Sequence, residues 1–331
     1  MEAYINDHIL ERAGLCISKL SFKEEFHNRP FLTKIEDAEL QAAMLYYAVS
    51  ICHQTYALQD PSRNLYGWDY LEDGFLRMAI ESPELLSADT IISFGIAELS
   101  QALLPWFSPD GTVMNSTLDR ITERARLMFD AAYLLSKHFK GSVLELLAST
   151  NGWLLNNGNG YYEVLQPIEA FSDNHRKKSS FLLKLLCDSK LFMVKDKENV
   201  IPVMDYHMQR VLLRTGIVST DDELTEQLIS RKVMDSDEVV RTECIKAMKL
   251  ISKRAGVDIL RMNDVFYMLG RSCCLESPLC KSGVCSKHPC SLTITLDLAS
   301  HERCIFDTFC SGVTNDLYIN KWHPVVTTHF Y

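Results

Sequence analysis

The stretch STLDRITERARLMFDAAYLLSKHF, residues 116–139, repeats apolar side chains every three or four positions without a breaker. A segment patterned this way buries one stripe as an amphipathic helix, and a chain that keeps producing such segments packs helix on helix. IEDAELQAAMLYYAVSICHQTY (35–56), SADTIISFGIAELSQALL (87–104, with Ser87 as the cap) and SVLELLAST (142–150, after Gly141) carry the same spacing, as do 179–188, 206–215, 221–232, 236–254 and 258–269. NGWLLNNGNGYYEVLQ sets asparagine and glycine between two apolar runs, which predicts a hairpin or an exposed loop. After Cys290 the texture changes. SLTITLDL alternates with threonines and PVVTTHFY is β-branched and aromatic, so a short strand pair is expected there. The reading is an all-α domain over residues 1–290, including a Cys-rich loop at 270–290, with a tail at 291–331 packed on it.

At 331 residues, 47% hydrophobic and 23% charged, the composition is that of a soluble globular protein with one large domain or two intimate ones. No run of about 18 apolar residues occurs, so no membrane partner is expected. MEAYINDHILERAGLCISKL lacks an apolar signal core, so a cytoplasmic location is expected. The net charge of −9 disfavours a dedicated duplex-DNA binder, whose affinity rests on basic phosphate contacts, but leaves room for a local basic groove.

Eleven cysteines in such a chain are seldom disulfides, and five of them, Cys273, Cys274, Cys280, Cys285 and Cys290, fall in one short stretch. Thiolates so gathered suit a cubane iron–sulfur cluster or a tetrahedral zinc, with His288 as a substitute ligand that would favour zinc. The other cysteines, Cys16, Cys52, Cys187, Cys244, Cys304 and Cys310, are dispersed and read as small buried hydrophobes.

The segment IPVMDYHMQRVLLRTGIV (201–218) puts one carboxylate, Asp205, at the mouth of a helix. Pro202 disfavours helix before it, and aspartate is a strong N-cap. A carboxylate held there also keeps its negative charge and can stabilise a developing cation or orient a water. VMDYHMQRV resembles the V-D-T-H-x-x-R-V segment of the helix-hairpin-helix glycosylase superfamily typified by endonuclease III, with Asp205, His207 and Arg210 in the matching places. In that family the aspartate assists departure of a nucleobase from its sugar, and the resemblance implies that role for Asp205. YMLGRSCCLESPLCKSGVCSKHPC resembles the family's iron–sulfur ending, with Gly270 and Arg271 as the lead-in. The resemblance implies a [4Fe–4S] cluster on Cys280, Cys285, Cys290 and either Cys274 or Cys273, with zinc as the alternative. Here four residues separate Cys280 from Cys285, where the family has two.

Endonuclease III-type proteins carry a glycine-rich hairpin and a lysine upstream of the aspartate. The corresponding FSDNHRKKSSFLLKLL (171–186) keeps the lysine as Lys178, beside Lys177, and lacks the glycines. The queuosine salvage branch of the superfamily also lacks them. It is similar over residues 45–216, through LYGWDYLEDGFLRMAIE (65–81), HFKGSVLELLASTNGWLL (138–155) and MDYHMQRVLLRTG. That resemblance implies a two-lobed DNA-glycosylase-like fold with its site in the cleft between the lobes. It also implies an N-glycosidase that releases a modified base, of 7-deazaguanine type, from a nucleoside 5′-phosphate. Asp205 and Lys178 are then the catalytic candidates. Trp68, Asp69, Tyr70, His53, Lys177, His207 and Arg210 are the candidates for substrate binding, with Glu72 beside them. Nucleic acid is the partner under the alternative of a base-excision DNA glycosylase or abasic-site lyase. A third reading is a catalytically inactive nucleic-acid- or protein-binding module.

Overall fold

Helices carry most of the chain in the computed structural model, which describes residues 1–23, 28–285, 287–298 and 302–331. The fold is all-α, with strands of only two or three residues. It divides into two compact units. One comprises Met1–Phe26 and Ile201–Thr327, the other His27–Val200 and Thr328–Tyr331.

In the first unit, the helix Asp7–Ile17 packs on Glu238–Ala255, and Tyr206–Thr215 packs on Ile259–Ser272. Their apolar stripes close over Met204, Leu212, Cys244, Met248, Phe266 and Leu269, all buried. The helix starts follow from capping: Asn6 accepts from the Ile9 N–H at 3.2 Å and Asp258 from Leu260 at 2.8 Å. Strand Ala3–Ile5 pairs antiparallel with Val218–Thr220, Tyr4 opposite Ser219. Gly270 fixes the crossing of Ile259–Ser272 over Tyr206–Thr215. A Cβ at 270 would stand 2.8 Å from the His207 Cβ and closer still to the His207 carbonyl. Gly270→Ala therefore forces two helices apart, and we expect a loss of about 1–3 kcal/mol, read as a lowered urea midpoint with unchanged slope.

The second unit is built round the helix Ala38–Ser50, whose residues from Gln41 to Ser50 are all buried. A helix that is apolar on every side belongs in a core, and Lys177–Asp188, Trp68–Glu81, Ile121–Phe139 and Val143–Ser149 pack round it. The helix expected over 35–56 stops at Ser50. The buried guanidinium of Arg124 takes the carbonyls of Ile51 and His53, and Gln54 turns to φ 43°, so the backbone leaves the helical path. Residues 151–160 form a loop and not a hairpin, ahead of the short helix Tyr161–Leu165, and the loop's amides are held by carboxylates. Asp196 accepts from Leu154 and Leu155 at 2.7 and 3.1 Å, and Glu163 accepts from Asn156 and Gly160 at 2.6 and 2.8 Å.

The strand pair expected in the tail does not form between SLTITLDL and PVVTTHFY among the described residues. Ser291–Ile294 is a 3₁₀ turn, because Thr293 and Thr295 bond back to the carbonyls of Cys290 and Leu292 at 2.6 and 3.1 Å and compete with any ladder. Leu296–Asp297 pairs instead with Ser21–Phe22, and Val325 makes a single bridge to Val233. Ala88–Phe107 is long and apolar enough to cross a membrane, at a mean hydropathy of 1.2. It is broken at Gly95, where φ is 66° and ψ 178°.

Candidate active site and cysteine cavity

In the first unit Asp205 is the N-cap of Tyr206–Thr215. Its backbone is extended, at φ −113° and ψ 179°, and its Oδ1 accepts the Met208 N–H at 3.0 Å. Only 8% of the residue is exposed. The cap and the charge are one arrangement: the helix N-terminus and the amide put positive potential on a carboxylate that solvent barely reaches. The next turn is braced from the side. Arg210 donates through Nε to the Cys274 carbonyl at 2.7 Å and through Nη2 to the Gly270 carbonyl at 2.6 Å. It also lies 3.2 Å from His207 Nδ1 and 3.0 Å from His323 Nδ1. The His207 ring meets Tyr206 and Tyr267, with centroids 4.2 and 5.7 Å away. Burial first, and then the Arg210 charge, push His323 down to about 2, so it stays a neutral acceptor. Trp322 takes three guanidinium groups on its ring, Arg210 at 4.4 Å, Arg231 at 4.5 Å and Arg214 at 5.4 Å. His207 and Arg210 thus hold the helix that carries Asp205, and Gly270, Arg214, Trp322 and His323 complete the brace.

In the second unit Lys178 is fully buried, and its Nζ donates to the Ser50 carbonyl at 2.6 Å. Burial is the largest influence on the amine. The nearby Lys177 and Arg124 also disfavour its proton while Cys52 and Glu123 favour it, and the value falls to about 7. Lys177 Nζ lies 3.9 Å from Cys52 Sγ and 5.3 Å from the Phe181 ring. His53, also fully buried, places Nε2 3.7 Å from Glu123 Oε2. Burial, with Lys178 and Arg124 behind it, holds the His53 imidazole neutral. His329 joins the same surroundings, its proton likewise disfavoured by burial and by Lys178. Trp68 packs edge-on against Phe181 at 4.7 Å and donates Nε1 to Glu72 at 2.6 Å, an oxygen that Arg29 shares at 2.6 Å. Asp69 is half-buried in the first turn of the same helix. Tyr70 is a core residue, 6.3 Å from Phe107. The second unit therefore brings His53, Lys177 and Lys178 together and keeps Tyr70 in its packing. Glu123, Arg124 and His329, which no local motif singled out, belong to the lysine's surroundings.

The Cys-rich segment leaves Ile259–Ser272 and lines a cavity of about 70 Å³. Cys273, Cys274, Cys280, Cys285 and Cys290 all face it, and so do Cys304 and Cys310 from beyond the segment. None of the eleven cysteines is in a disulfide. Burial pushes the thiols of Cys273 and Cys310 up to about 11 and raises those of Cys280 and Cys304. Among the described residues no three His, Cys, Asp or Glu side chains converge closely enough to hold a metal ion. The donor chemistry fits a thiophilic metal or an iron–sulfur cluster, and ligation requires the thiols to turn toward a common point.

Comparison with known proteins finds no matching family model and no matching curated protein. Among solved structures, the chain is similar to the 8-oxoguanosine-complexed 8-oxoguanine DNA glycosylase Pa-AGOG of Pyrobaculum aerophilum, with a TM-score of 0.49 and 13% identity over 81% of this chain and 89% of that one.

Proposed function

We propose that the protein is an N-glycosidic bond hydrolase that releases a modified base, of 7-deazaguanine type, from a nucleoside 5′-phosphate, with Asp205 meeting the reacting sugar. The observation that supports this reading is the buried Asp205 carboxylate on a helix N-terminus, in a VMDYHMQRV segment whose His207 and Arg210 brace the same helix. In the reaction the C1′–N bond breaks and its electron pair leaves on the base, which takes a proton. Positive charge builds on C1′, a water oxygen adds there, and the water gives up a proton. A carboxylate beside C1′ stabilises that charge and accepts the water's proton. The same reading gives the cysteine cavity a [4Fe–4S] cluster, or zinc, on Cys280, Cys285, Cys290 and either Cys274 or Cys273, as a structural support.

One observation favours a second reading, a DNA glycosylase with lyase activity. An amine held near 7 is half unprotonated at neutral pH and is a nucleophile. Under this reading Lys178 Nζ displaces the base at C1′ and the opened sugar becomes an imine. Borohydride added during turnover separates the two. The hydrolase reading expects free base from small nucleotides and no adduct. The lyase reading expects base release from oligonucleotides and a reduced sugar adduct on the Lys178 peptide.

A further inference from the structure

Two observations meet at the cysteine cavity. Cys304 and Cys310 lie 14 and 20 residues beyond Cys290, yet they line the same hollow as the Cys-rich segment. The hollow's volume of about 70 Å³ exceeds the ~10–15 Å³ that a single water needs. A main-chain bond and a thiol bond hold these residues there. The Cys285 N–H donates to the Glu302 carbonyl at 2.7 Å, and the Cys310 thiol to the Arg214 carbonyl at 3.6 Å. The second observation concerns charge. Arg210 and Arg214 are each only 2% exposed. Their hydrogen bonds go to uncharged acceptors, namely the carbonyls of Gly270, Cys274, Leu275 and Lys321, imidazole nitrogens, and the Cys274 thiol at 3.6 Å from Arg214. Arg210 has the Asp205 carboxylate in its surroundings, but burying two neighbouring guanidinium groups is costly, and a further anion offsets that cost. Thiolates on a metal are anionic where thiols are not. A thiolate-bound centre in this cavity places negative charge on the side where the two cations already sit.

We infer that Cys304 and Cys310 are ligands of a thiolate-bound metal centre in this cavity, in place of two thiols of the 273–290 segment, an inference that rests on the cofactor reading above for the centre itself and revises its ligand set. Iron–sulfur and zinc centres share this donor chemistry, and assay of iron, acid-labile sulfide and zinc in the full-length protein distinguishes them. In the wild type one of the two is expected in stoichiometric amount. In Cys304→Ser/Cys310→Ser, resistance of the metal to a competing chelator is expected to fall about tenfold or more, while Cys187→Ser, outside the cavity, retains it. Should the double variant fail to fold, thiol footprinting of the wild type decides. Cys304 and Cys310 are expected to resist N-ethylmaleimide until the metal is removed, and Cys187 to react equally in both states. A loaded double variant with unchanged resistance, equal labelling before and after metal removal, or a Cys304–Cys310 disulfide each overturns the inference and leaves the cofactor reading standing. A wild type free of iron, sulfide and zinc overturns both.

Discussion

Asp205→Asn is expected to lower kcat/KM for glycosidic hydrolysis by about 10²–10³-fold, the loss seen when one preorganised electrostatic group is removed, with the melting temperature changed by no more than about 2 °C. The two effects separate because asparagine caps a helix as well as aspartate does. Its side-chain oxygen can still take the Met208 N–H that Oδ1 accepts at 3.0 Å. What disappears is the charge. Asp205→Ala removes charge and cap together, so it is expected to show the same catalytic loss plus about 0.5–2 kcal/mol of destabilisation in urea. A purely structural aspartate gives the opposite pattern, in which the asparagine variant is active and only the alanine variant is impaired.

Lys178→Met is expected to reverse its effect on stability with pH. A lysine brought down to about 7 in the folded protein, from an ordinary 10.5, binds fewer protons folded than unfolded between those two values. Stability therefore rises with pH across that window. The penalty of the buried amine is fully present below about pH 7 and is gone above about 10.5. At about 1.4 kcal/mol per unit, the wild type is expected to gain on the order of 3–5 kcal/mol relative to the methionine variant between pH 7 and pH 10. At pH 6 the variant is the more stable protein. At pH 10 it is the less stable one, because the Ser50 carbonyl has lost the donor that sits 2.6 Å away. Urea unfolding at one-unit pH steps measures the difference. A gap independent of pH would mean that Lys178 keeps its proton when buried.

Much of this organisation is legible in the sequence because it is local. Helical spacing marks Ile121–Phe139 and Glu238–Ala255 within a few residues, and Asp205 announces its cap through Pro202 before it and apolar spacing after it. The long-range features are not legible. The helix Asp7–Ile17 and its strand Ala3–Ile5 acquire their meaning from Val218–Thr220, more than two hundred residues away. Cys304 and Cys310 read as scattered thiols because only the folded chain returns them to the cavity of Cys274 and Cys280. Lys178 is recognised beside its two serines. Its surroundings, Ser50, Arg124 and His329, come from three other segments. The threonines of SLTITLDL mislead in the other direction, since their hydroxyls serve the local backbone and end the strand they seem to promise.

The most direct measurement is release of free base from a 7-deazaguanine nucleoside 5′-phosphate, followed by mass spectrometry with wild-type and Asp205→Asn protein side by side. Our account predicts base and ribose 5-phosphate in equal amounts from the wild type and at least a hundredfold slower release from the variant, in line with the ~10²–10³ loss for one such group. Equal rates from the two proteins, or no release by the wild type from any nucleotide, would contradict it.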